Sequence, residues 1–104
     1  MNKSLIVEIA QFKLAKGADE QGFLKEADAV QKNFLKKQSG FIDRELLKAE
    51  VGLWIDILHW NTMEEAQRAS EAMLKDPACA EFIKKIDPAS INMLHVKQVR
   101  KYGK

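Results

Sequence analysis

The stretch LWIDILHWNTMEE, residues 53–65, decides the fold. Leu53, Ile55 and Ile57 alternate with Trp54, Asp56 and Leu58, the period-two pattern of a strand. Thr62 followed three residues later by Glu65 has the form of a capping box, so a helix begins there. Between strand and helix stand His59, Trp60 and Asn61. Both faces of the strand are substantially apolar, whereas an antiparallel sheet commonly turns one face to water. Both faces therefore need cover.

Working outward, residues 5–14 alternate in the same way. Leu5, Val7 and Ile9 share one face; Ile6, Ala10, Phe12 and Leu14 share the other with a single acid, Glu8. Residues 18–38 change to a helical period, with Phe23, Ala27, Val30 and Phe34 in one stripe. Asp19 and Glu20 at its start and Lys36 and Lys37 at its end suit the helix dipole, and Gly40 is available for a left-handed stop. Residues 41–49 read as a second strand, and residues 50–52 turn it back into the third. A helix over 62–75 ends at Asp76-Pro77, which opens a short helix over 78–86, and residues 91–99 form the last strand.

That order predicts an α+β, ferredoxin-like split βαβ fold: a four-stranded antiparallel sheet with helices on one face and the first and third strands central. A chain of 104 residues suits one domain. Val7, Ile9, Phe23, Phe34, Ile57 and Leu94 are expected on the helix side, around any cavity. Phe12, Leu14, Trp54, Leu58 and Met93 then fall on the second face, too much apolar surface to leave in water. A homodimer packed sheet to sheet is the expected solution.

Composition excludes several classes of function. Hydrophobic residues at 46%, charged residues at 31% and a net charge of +2 describe an ordinary globular chain. The only basic cluster is the tail Arg100, Lys101, Lys104, so nucleic acid is not an expected partner. No segment approaches the roughly 18 apolar residues of a membrane span, and MNKSLIVEIAQFKLAKG lacks the unbroken apolar run of a leader. Cys79 is alone, which rules out a disulfide within the chain and fits a cytoplasmic setting. Metal binding is not expected, since no His, Asp or Glu residues fall at a known ligand spacing. Glycine-rich phosphate loops are missing too.

Three stretches together, SGFIDRELLKAE (39–50), LWIDILHWNTMEEAQRA (53–69) and FIKKIDPASINMLHV (82–96), resemble the antibiotic-biosynthesis-monooxygenase-like (ABM) family of dimeric α+β barrels. The resemblance implies a cavity between sheet and helices in each protomer, and a small hydrophobic or aromatic ligand. It spans oxygenases that use no cofactor, haem-degrading enzymes and members without known activity. Trp60 resembles a tryptophan that the haem-degrading members keep. Their haem-ligating histidine has no counterpart over residues 62–86, and Ala10 stands where they place an asparagine, so no cofactor is implied.

The function expected on these grounds is a cofactor-independent monooxygenase acting on a small aromatic or quinone-like compound. The alternative is a dimeric barrel of the same fold that binds a small ligand, or serves a stress response, without turnover. His59 and His95 are the only histidines and can take a proton from a phenol near neutral pH. Together with Asp56 they are the catalytic candidates; Trp60, Asn61, Phe23 and Phe34 are the substrate-binding candidates. Glu8 and Asp56 are the carboxylates able to share a face with His95 and fix its tautomer. A salt bridge from Arg44 to Asp56 or Glu8 would satisfy groups that cannot be buried alone. Trp54, Asp56 and Arg44 are expected at the dimer interface. Cys79, just after Pro77, is expected to be a packed or surface thiol despite its place at a helix start.

Overall fold

A computed structural model describes residues 5–104; the first four residues of the segment inspected for a leader lie outside the described residues. The elements run β1 (Ile6–Lys13), α1 (Glu20–Asn33), β2 (Phe41–Lys48), β3 (Leu53–Trp60), α2 (Met63–Met73), α3 (Pro77–Lys84) and β4 (Asn92–Lys97). Single 3-10 turns occupy Leu35–Lys37 and Pro88–Ser90. The strands form one antiparallel sheet in the order β2-β3-β1-β4, which is the ferredoxin-like arrangement with β1 and β3 in the centre. No helix among the described residues is long and apolar enough to cross a membrane.

Local chemistry sets the element ends. Thr62 caps α2: its hydroxyl oxygen accepts from the Glu65 amide at 3.1 Å. The Glu65 carboxylate in turn accepts from the Thr62 hydroxyl at 3.0 Å and from the Ser39 hydroxyl at 2.6 Å, tying the helix start to the approach to β2. Asp76 caps α3 through the Ala78 amide at 2.8 Å, with Pro77 in the first turn. The first helix is shorter than its apolar stripe suggests. It ends at Asn33 and is followed by a single 3-10 turn at Leu35–Lys37, with Phe34 and Leu35 both buried. Gly40 does take the left-handed conformation, at φ +83°, but at the entrance to β2 and not as the helix cap.

The alternation within each strand is as read, but the side covered by helices is the opposite one. Ile6, Glu8, Ala10 and Phe12 on β1 and Trp54, Asp56, Leu58 and Trp60 on β3 are the buried positions. Val7, Ile9, Ile57 and Leu94, expected against the helices, lie on the open face with Ile55 and Val96. Trp54, Asp56 and Arg44, expected at a dimer interface, sit beneath the helices instead. The reason is the aromatic set. Phe23 from α1 reaches Phe12, Trp54 and Phe82 with ring centroids 5.7, 4.9 and 5.4 Å away, a core that Val7, Ile9 and Ile57 could not build. The acids on that face are tolerated because each has a partner, described next.

Candidate active site

A cavity of about 310 Å³ lies between the covered face of the sheet and the helices. That is the lower end of the roughly 300–1,000 Å³ typical of small-molecule sites. Ala10, Leu58, Val30, Phe82 and Ile86 give it apolar walls, while Leu74, Ile91 and Met93, which are exposed, form the rim beside β4. Three ionisable side chains among the described residues line it: Glu8, Asp56 and Arg44.

Glu8 is the central group. It projects from β1, pairs in register with His95 of β4, and shares a hydrogen bond with that ring, Oε1 to Nε2, at 3.0 Å. Its side chain is 10% exposed and that of His95 is 17% exposed, so both are largely withdrawn from water. Burial raises the Glu8 pKa above the usual carboxylate range. The His95 hydrogen bond and charge work against this, the Asp56 charge adds to it, and the Trp60 indole slightly favours the ionised form. A carboxylate made more basic inside an apolar cavity suits proton abstraction.

Arg44 and Asp56 form a closed unit. Nε and Nη2 of Arg44 donate to Oδ1 and Oδ2 of Asp56 at 2.9 and 2.8 Å, and Nη1 donates to the Ala27 carbonyl at 2.9 Å. The guanidinium carbon also lies 5.7 Å from the centre of the Phe82 ring. With both oxygens engaged, Asp56 is a fixed negative charge near Glu8 and not a free acid or base.

Trp60 is almost wholly buried, 1% exposed, and packs edge-on against Phe41 at 5.5 Å. Its indole Nε1–H is buried at the cavity wall, where it acts on the Glu8 carboxylate without making a hydrogen bond of regular geometry.

The remaining candidates fall elsewhere. His59 lies on the open face, with Nδ1 2.6 Å from Asp43 Oδ1, and strand alternation keeps it out of the cavity. Asn61 is exposed, and its backbone amide donates to the Gly40 carbonyl at 2.8 Å. Phe23 and Phe34 are packed in the core and are not among the side chains lining the cavity; the aromatic from the helices that does line it is Phe82. Cys79 is fully buried, and its thiol is pushed up to about 11 by that burial and by Asp76, with Arg44 opposing, which makes it a poor nucleophile. The structure thus brings His95, Glu8, Asp56 and Trp60 to one site and leaves His59, Asn61, Phe23 and Phe34 outside it. Glu8 was legible as a partner for His95 or Arg44, not as the base itself. Its isolation among apolar residues on a central strand is the signal of a retained buried acid.

No protein-family model matches the chain, and no curated protein matches it. Among solved structures, it is similar to SnoaB from Streptomyces nogalater, described as a cofactor-independent oxygenase, at TM-score 0.65 and 15% identity over 96% of each chain. It is also similar to a putative antibiotic biosynthesis monooxygenase from Bordetella bronchiseptica, at TM-score 0.72 and 16% identity over 93% of this chain and 99% of that one. A third, a putative antibiotic biosynthesis monooxygenase from Chloroflexus aurantiacus, gives 0.67 and 12% over 96% and 98%. The fold is therefore that of the ABM-like proteins.

Proposed function

We propose that this protein is a cofactor-independent monooxygenase acting on a small aromatic or quinone-like compound, with Glu8 as the base and His95 as its partner. One observation carries the reading: a buried carboxylate of raised basicity, hydrogen-bonded to His95 at 3.0 Å, faces an otherwise apolar cavity of ligand size. The likeness in fold to SnoaB supports it.

The chemistry needs little more than proton transfer. Glu8 takes the acidic C–H or O–H proton of an anthrone- or quinol-type substrate, and the resulting anion is electron-rich enough to pass one electron to dioxygen. The substrate radical and superoxide combine to a peroxide anion, which takes back the proton held on Glu8 to become a hydroperoxide. Loss of its remaining C–H proton, with departure of the outer oxygen as water, leaves a carbonyl. One oxygen atom enters the product and one leaves as water. His95 shares the proton held on Glu8, and the apolar walls keep the anion from being reprotonated by bulk water.

The open face bears the proposal of a homodimer. Val7, Ile9, Ile55 and Ile57 on the central strands and Leu47, Leu94 and Val96 on the edges make one apolar surface with no helix over it. A cytoplasmic setting completes the proposal and rests on the lone, free Cys79.

Oxygen uptake with anthrone, without added metal or flavin, tests the reaction. Replacing Glu8→Gln should lower the rate by about 10²–10⁴-fold, the usual share of a general base. An undiminished rate in a folded Glu8→Gln protein would remove Glu8 from the mechanism, and no uptake by the unaltered protein would favour a binding role without turnover.

A further inference from the structure

We infer that the cavity selects uncharged ligands bearing a hydroxyl donor and rejects their carboxylate counterparts. The inference rests on the reading of the Glu8 cavity as the ligand site, but not on any turnover there. Glu8, Asp56 and Arg44 are the ionisable side chains lining it among the described residues. The one fixed cation is already spent, since Arg44 holds both Asp56 oxygens and leans on the Ala27 carbonyl. A ligand carboxylate would give up its water shell, meet two acids, and find no free positive charge to compensate. A ligand ammonium would also give up its water shell to apolar walls, and it would find Asp56 already paired with Arg44 and Glu8 already engaged by His95. A neutral hydroxyl pays neither cost: it can donate to the Glu8 carboxylate while the ring rests against Leu58, Phe82 and Ile86.

Three molecules of one skeleton separate these cases: a naphthol, the corresponding hydroxynaphthoate and the corresponding (aminomethyl)naphthol, titrated calorimetrically near neutral pH. The naphthol should bind at least about tenfold more tightly than either charged analogue. Asp56→Asn frees the Arg44 charge and should shift preference toward the hydroxynaphthoate. Glu8→Gln removes one of the two acids and should narrow the same gap, so either variant that folds reads the preference. Hydroxynaphthoate or (aminomethyl)naphthol binding as tightly as the naphthol to the unaltered protein overturns the inference. So does the absence of binding by all three. Oxygen consumption is not read, so a protein without oxygenase activity that discriminates in this way would sink the proposed reaction and leave charge selection standing.

Discussion

Arg44 grips both oxygens of Asp56 from the neighbouring strand, at 2.9 and 2.8 Å, with the two side chains only 8% and 9% exposed. A pair buried so deeply is held by mutual need and not by large net gain, because desolvation offsets most of the attraction. Arg44→Met should therefore cost about 3–5 kcal/mol, since it strands the Asp56 charge. Removing both with Arg44→Met and Asp56→Leu should recover most of that loss. Chemical denaturation of the single and double variants checks it; additive losses would mean that the two residues do not act as a unit.

Glu8 should set a pH dependence of stability. Its folded-state pKa is raised, so the folded chain holds a proton more tightly than the unfolded chain between the ordinary value of 4.5 and the raised one. Over that window stability falls as pH rises, and the contribution is fully present only below the ordinary value. Glu8→Gln should flatten the fall, giving a higher unfolding midpoint than the parent on the alkaline side while its activity drops. A parallel pH dependence in both proteins would show that Glu8 is not the group responsible.

The two histidines should separate cleanly. His95→Ala should slow oxygen uptake by about 10²-fold, within the range for a group that assists proton transfer. His59→Ala, on the other face and paired with Asp43, should leave the rate within about twofold. Equal losses in both would contradict the separation of the two faces.

Assembly is open to direct measurement. Sedimentation should give a species near twice 11.8 kDa. Ile57→Lys, in the centre of the open apolar face, should yield a folded monomer, because an unpaired charge at an interface centre is costly. A monomeric parent would mean that the face is covered in some other way.

Gly40 tests a local dependence. An added Cβ there would collide with the Glu65 carboxylate, and φ is +83°. Gly40→Ala should cost about 1–3 kcal/mol in thermal or chemical unfolding.

Much of the fold was legible because alternation and helical periods are written directly in side-chain character. Strand order, the hairpin at residues 50–52 and the Thr62 and Asp76 caps follow from such signals. Which face the helices cover was not legible. Two apolar sets alternate along β1 and β3, and the period alone treats them alike. The acids Glu8 and Asp56 pointed away from the core, since a buried charge is tolerable only with a partner. His95 with Glu8 or Asp56 and Arg44 with Asp56 or Glu8 were legible as pairings, but the strand register that selects Glu8–His95 and Arg44–Asp56 is not a local pattern. Once the register is known, both acids are satisfied and the aromatic side becomes the inside. The site suffered the same inversion: His59 followed the outer set and Glu8 the inner.

The Glu8–His95 contact joins strands of unequal security. β1 is bonded along both sides, whereas β4 has six residues, mostly exposed, and hydrogen-bonds to β1 alone. Edge strands of this kind fray first, so amide exchange should run faster along β4 than along β1. A transient peeling of β4 would part His95 from Glu8 and loosen the rim at Met93 in the same movement. Opening of β4 would therefore change the cavity rim and the hydrogen bonding of Glu8 together.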